Sequence, residues 1–231
     1  MSTEEADAPL REGKQVSNPY STGGGGHWFE VQVMSAFAAL MLAGGFAPCL
    51  PCLPIRTIRL QTRKDGNRID DFVAYVSDVS QTDKRRLLAQ VKHGISFTKS
   101  NQQFGETIAD AWMDFNNPSI FTRNKDIIAI IAGPLSATDI EDTRRILEWS
   151  RSSGSADEFF QNVEKTNFSS DSKRKKLAAF RARINAAAGV SVTDDETFEF
   201  LRHVHVLGFD LLPDCQSGRG AAGARDLWAL P

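Results

Sequence analysis

Ile69-Asp70-Asp71-Phe72-Val73-Ala74-Tyr75-Val76, a polar segment, then Arg86-Leu87-Leu88-Ala89-Gln90-Val91-Lys92 is the stretch that decides the fold. Two apolar, β-prone runs joined by a short polar segment predict a β-hairpin. A turn centred between Ser80 and Gln81 sets Asp71 opposite Gln90, with Lys92 two residues further on. Residues two apart on a strand share a face, so an acid, an amide and an ammonium converge where an apolar hairpin ends.

The flanking segments extend this unit. Ile55 to Thr62 alternates as a strand, and Arg63-Lys64-Asp65-Gly66-Asn67 reads as the turn into the hairpin. Upstream, Phe29, Val33, Ala36/Phe37 and Leu40 recur at helical spacing. They predict a helix entered from the loop Gly23 to Gly26 and closed by Gly44-Gly45, with Glu30 among its few polar side chains. Downstream, a polar loop from His93 to Asn101 leads into a helix over Gln102 to Phe115, capped by Ser100 or Asn101. Asp126 to Ala132 is continuously apolar and β-prone, as in a central strand reached by a helical crossover. Helices follow over Ala137–Ser152 (capped by Thr138), Ala156–Val163, Ser172–Ala187 and Asp194–His203, and His203 to Leu211 alternates as a last strand. The expectation is one α/β domain over residues 23–231, with a mixed central sheet flanked by helices and a helical second half. Residues 1–22 read as a flexible N-terminal arm. Apolar residues still arrive at Asp226 to Pro231, which suggests the N-terminal part of a longer protein.

The 231 residues carry a net charge of −2, so contact with nucleic acid must come from local patches. An acidic, polar N-terminus and three cysteines point to a reduced, cytoplasmic protein. The apolar segment Trp28 to Leu53 is interrupted by Glu30, Gln32, Gly44-Gly45 and Pro48, so no membrane span is expected. Three further features each have a bland and a sharper reading. The glycine run is a helix lead-in rather than a nucleotide site, since no strand precedes it and no Lys-Ser/Thr follows. Cys49-Leu50-Pro51-Cys52 is an inert loop rather than a metal or redox site, with Cys215 far away. His203 and His205 share a strand face and are structural rather than ligands, and Lys173 to Lys176 form a solvated helix face or else a phosphate track.

Phosphodiester hydrolysis needs a divalent metal, an activated water and stabilisation of developing charge. Asp71, the Gln90 amide oxygen and the Val91 carbonyl suit a hard ion such as Mg²⁺ or Mn²⁺, and Glu30 adds a second carboxylate if its helix packs beside the sheet. Lys92 is placed to orient the water or meet the phosphate. His93 and Lys99, with Arg63 and Lys64 in the preceding turn, are candidates for the DNA backbone. From these residues alone, a metal site and an ordinary pair of strand ends emerging into solvent both stand.

The motifs together resemble the restriction-endonuclease-like PD-(D/E)xK superfamily in its Q-x-K variant. The resemblance is carried by Gly25-Gly26-x-x-Phe29-Glu30, Gln61, Asp70-Asp71-Phe72, Ala89-Gln90-Val91-Lys92, Phe97-x-x-Ser100-Asn101-x-x-Phe104 and Ala111-Trp112-x-x-Phe115. It covers Gly23 to Ala132, and beyond Leu135 only the helical filling and Val206-Leu207-Gly208-Phe209 match. More closely, the chain is similar to the N-terminal double-stranded-DNA endonuclease domains of bacterial antiphage effectors, namely CBASS nucleases, Avs-type STAND NTPases and HerA-linked nucleases. The resemblance implies a Mg²⁺-dependent site of Asp71, Gln90 and Lys92 assisted by Glu30. It also implies activation by homo-oligomerisation, driven through a downstream NTPase or sensor domain or a partner subunit. The alternative from another class is a catalytically silent DNA-binding or docking module of the same fold.

Overall fold

The computed structural model describes residues 25–133 and 135–209. The expected arm over residues 1–22, Cys215 and the Asp226 to Pro231 end lie outside the described residues. Five strands form one mixed sheet in the order β1-β2-β3-β4-β5: β1 Ile55–Leu60, β2 Phe72–Ser77, β3 Lys84–Lys92, β4 Asp126–Ala132 and β5 Val204–Gly208. Among the described residues six α-helices accompany it: α1 Gly25–Leu42, α2 Gln102–Phe115, α3 Ala137–Ser152, α4 Ala156–Glu164, α5 Asp171–Ala188 and α6 Asp194–Arg202.

The first three strands are antiparallel, whereas β4 runs parallel to β3 and β5 parallel to β4. Parallel neighbours need a crossover, and α2 supplies it between β3 and β4. Phe72 pairs with Ala89, so the register of the hairpin puts Asp71 across from Gln90, as the sequence predicts. The ladder to β1 continues past the strand ends: Gln61 and Thr62 donate their backbone N–H groups to the carbonyls of Asp71 and Asp70 at 3.0 and 2.8 Å. Gln61 takes a left-handed φ of 49° and starts a 3₁₀ turn over Thr62–Asp65.

Strand alternation sorts the core into two clusters. Phe72, Ala74, Val76, Leu87, Ala89 and Val91 face α1, through Phe29, Val33 and Phe37. Val73, Leu88, Ile128, Ile130 and Val206 face the opposite side, where α2 to α6 supply Phe104, Ile108, Phe159, Phe180 and Phe200. Each such aromatic, fully buried, contributes about 1.5–3 kcal/mol. Phe97, Phe104 and Phe180 interlock at centroid distances of 5.0–6.4 Å and pin the loop after β3 to α2 and α5.

Several boundaries differ from the expectation. The helix takes in Gly25 and Gly26, because first-turn N–H groups have no intrahelical partner and glycine costs little there. Ser136, not Thr138, caps α3: it is extended and its hydroxyl accepts from the Asp139 N–H at 3.1 Å. The outer end of β3, Lys84 to Arg86, is more exposed than a doubly covered strand would be. His203 caps α6 instead of opening β5, so it does not share a strand face with His205; the Leu211 end of that predicted strand lies outside the described residues. The Lys173 cluster is less solvated than expected: Lys173 pairs with Asp142 at 2.8 Å and the buried Lys176 with Asp139, clamping α5 to α3. Cys49 is half-buried at a left-handed φ of 66°, and burial pushes its thiol up to about 11, out of the reactive range. Among the described residues no helix is long and apolar enough to cross a membrane.

Candidate active site

Asp71 sits one residue before β2, its carbonyl still paired with the Gln61 N–H at 3.0 Å as β1 gives way to the 3₁₀ turn. One of its oxygens, Oδ2, accepts from the Gln90 amide nitrogen and from the Val91 backbone N–H, both at 2.6 Å. The other oxygen carries no hydrogen bond among the described residues. The Val91 N–H faces the β2 edge, and the N–H and C=O of one strand residue leave on the same side, so its carbonyl points to the Asp71 edge as well. Burial raises the Asp71 pKa, with the Val91 N–H and Lys92 opposing and Asp70 adding to the rise.

Glu30 reaches this end from the other face of the sheet. Its helix is anchored by Phe29, whose ring meets His93 edge-on at 5.3 Å and Phe209 at 6.4 Å. Burial also raises the Glu30 pKa; the Asp71 charge adds to the rise, while His27 and Lys92 oppose it. Glu30 thus lies within the field of Asp71 and Lys92, while direct hydrogen bonds join only Asp71, Gln90 and Val91. Among the described residues no group of three His, Cys, Asp or Glu converges as a metal cage. The donors at this end are mixed: two carboxylates, an amide and a main-chain carbonyl.

The expected DNA contacts fall around the rim. His93 and Lys99 are exposed beyond β3, and Arg63 and Lys64 are exposed in the 3₁₀ turn. Arg63 already meets Asp70 at 3.8 Å, and Arg68 meets Asp110 at 3.7 Å. These mostly exposed pairs hold their cations weakly and leave them available to a phosphate.

Three contributors escaped the sequence reading. Asp114, 2% exposed, accepts from the backbone N–H groups of Arg68 and Ile69 at 2.8–3.0 Å and so fixes the two residues leading into Asp70-Asp71. Burial raises its pKa despite those bonds. Asp110, one turn earlier, lies within the fields of Arg63, Arg68, Asp70 and Lys92, and its pKa is likewise raised by burial. A signal existed: an acid in the last turn of an amphipathic helix opposes the helix dipole and needs donors of its own. The third is Gly133, which donates to the Lys92 carbonyl at 3.0 Å; a Cβ there would stand 2.5 Å from the His93 carbonyl oxygen.

Compared with known proteins, the chain matches no protein-family model, no curated protein and no solved structure.

Proposed function

We propose that this chain is a metal-dependent endonuclease domain with a restriction-endonuclease-like core, hydrolysing phosphodiester bonds of double-stranded DNA as the effector part of a prokaryotic antiphage protein. The observation that carries the reading is the Asp71–Gln90–Val91 hydrogen-bonded unit, with Lys92 and Glu30 beside it, at one end of an α-β-β-β-α-β frame. The parallel β3–β4 pair and the crossover α2 agree with that frame.

A Mg²⁺ or Mn²⁺ ion fits this end: the free Asp71 oxygen, Glu30, the Val91 carbonyl and the Gln90 oxygen would hold it, and it supplies neutralisation of the phosphate and acidification of a water. The raised pKa of both carboxylates records negative charge that burial leaves poorly solvated, which a cation relieves. Gln90 meets Asp71 through its nitrogen, so its amide would have to turn over about its last bond to present the oxygen to an ion. Until then, Gln90 and the Val91 N–H hold the carboxylate in one orientation. The Lys92 ammonium, sharing the sheet face of Asp71 and Gln90, binds a phosphate oxygen and orients the attacking water. Arg63, Lys64, His93 and Lys99 neutralise flanking phosphates. Two such sites are needed for both strands of a duplex, which calls for assembly through the partner or sensor region.

Lys92→Ala, folded by circular dichroism, is expected to abolish Mg²⁺-dependent cleavage of duplex DNA by assembled protein. Undiminished cleavage sinks the reading. A second reading is a catalytically silent DNA-binding or docking module, in which the Gln90 and Val91 hydrogen bonds to Asp71 serve only to hold the strand ends. A Mn²⁺ titration separates the two: the nuclease binds the ion and loses it in Asp71→Ala, and a silent module binds none.

A further inference from the structure

At the other end of the hairpin, on the same sheet face as Asp71, lies a half-open groove of about 770 Å³ bounded by β1, β2, β3 and the 122–126 segment. Six cations line it, Arg56, Arg59, Lys84, Arg85, Arg86 and Lys125, against the two carboxylates of Asp78 and Asp126. A net charge of −2 for the chain makes this concentration local rather than a bulk trend.

The two acids are already committed. Asp126 is buried and takes Arg86 with both oxygens, while Asp78 accepts from the Ser80 and Thr82 hydroxyls of its own turn. Three guanidiniums are positioned in advance: Arg86 by Asp126 and the Ile120 carbonyl, Arg85 by Asp83 at 3.1 Å, and Arg59 over the Tyr75 ring at 5.3 Å. Arg56, Lys84 and Lys125 are exposed and have no carboxylate partner among the described residues. Fixed forks beside free cations form an anion receptor, and the volume falls in the range of small-ligand sites.

We infer that this groove binds the phosphates of a nucleotide, either free or within a single strand. On β2 and β3 the groove begins at Tyr75 and Arg86, four residues along from Asp71 and Gln90 and about 13 Å at 3.3 Å per residue; it shares no residue with that constellation and does not depend on the nuclease reading. The Arg59 guanidinium, above the Tyr75 ring and paired with the exposed Asp65 at 3.6 Å, would be within reach of a base seated in the groove.

The test uses the whole chain without divalent metal at low salt. A fluorescent ten-base single strand is titrated by anisotropy, with ATP and pyrophosphate as competitors, and lysine acetylation is mapped with and without ligand. Saturable binding is expected, with Lys84 and Lys125 protected and Lys175 not. Arg56→Ala/Lys84→Ala/Lys125→Ala is expected to weaken it at least tenfold and to flatten its salt dependence, whereas a triple Lys/Arg exchange at those positions retains binding. Asp71→Ala, which tests the cleavage reading separately, is expected to bind as the parent does. Competition by ATP or pyrophosphate at micromolar levels assigns the site to free nucleotides, and its absence assigns it to a strand. No saturable binding of any probe, unprotected Lys84 and Lys125, or a triple-alanine variant within twofold of the parent overturns the inference.

Discussion

Replacing Asp114 with alanine withdraws the acceptor from two backbone N–H groups, those of Arg68 and Ile69. Ile69 is fully buried, so its orphaned N–H costs about 1–3 kcal/mol. Arg68 is exposed and water recovers its N–H, leaving a loss of about 0.5–1.5 kcal/mol. Against this, the substitution removes a carboxylate that burial disfavours, so the net destabilisation expected is about 2–3 kcal/mol. At ~2–4 °C per kcal/mol for a chain of this size, the melting temperature falls by about 4–12 °C. Asp114→Asn keeps an oxygen where Oδ2 now accepts from both donors, and is expected to cost under ~1 kcal/mol. Thermal melts and guanidinium titrations of the three proteins read the difference. An alanine variant melting within about 1 °C of the parent refutes the assignment of Asp114 as the anchor of this loop. Because Asp70 and Asp71 follow Ile69 directly, cleavage measured well below both melting points is expected to fall in Asp114→Ala and to recover in Asp114→Asn.

Gly133→Ala is expected to cost about 1–3 kcal/mol by overpacking, since its Cβ meets backbone rather than a yielding side chain; a guanidinium midpoint equal to the parent's counts against the close approach described. Asp71 and Glu30 both have raised folded-state pKa values, so the folded protein holds these protons where the unfolded chain has lost them. Their contribution therefore favours folding at low pH and is lost as pH rises from the ordinary carboxylate range through the raised values. Asp71→Asn removes the Asp71 share of that slope while keeping an acceptor for Val91, and the variant is expected to melt no lower than the parent at pH 7. In the parent, added Mg²⁺ is expected to raise the melting temperature more at pH 7 than at pH 5, an increment absent from Asp71→Asn; equal increments in the two proteins place the ion elsewhere.

The hairpin was legible because its period-2 pattern and turn chemistry act locally. Once Ser80-Gln81 is taken as the turn, Asp71 must face Gln90, and it does. The crossover helix and β4 were legible to the residue, since an Asn101 cap and a run of isoleucines leave little freedom. What failed depended on distant partners. Asp114 reads as an ordinary helix acid until the 68–69 backbone arrives beneath it. The Lys173 cluster looks solvated until α3 presents Asp139 and Asp142. The groove at the hairpin tip was invisible because its cations come from β1, the start of β3 and the loop before β4, and only the sheet register brings the Lys84-Arg85-Arg86 run beside Arg56, Arg59 and Lys125.

The sheet order also sets a timetable for synthesis. Glu30, Asp71, Gln90, Lys92 and Asp114 have all been made by the time α2 is complete, while β5 and the helices that cover Val73, Leu88 and Ile130 come last. At about 5–20 residues per second, the half of the chain that ends with α2 emerges from the ribosome some 5–20 s before β5 can close the sheet edge. During that interval the far face of β3 and the edge of β4 are uncovered, and such surfaces attract chaperones or neighbouring strands. A nascent chain therefore carries Glu30, Asp71, Gln90, Lys92 and Asp114 before the later helices and β5 that complete their scaffold, so the geometry at this end of the sheet is fixed only when the last strand has docked.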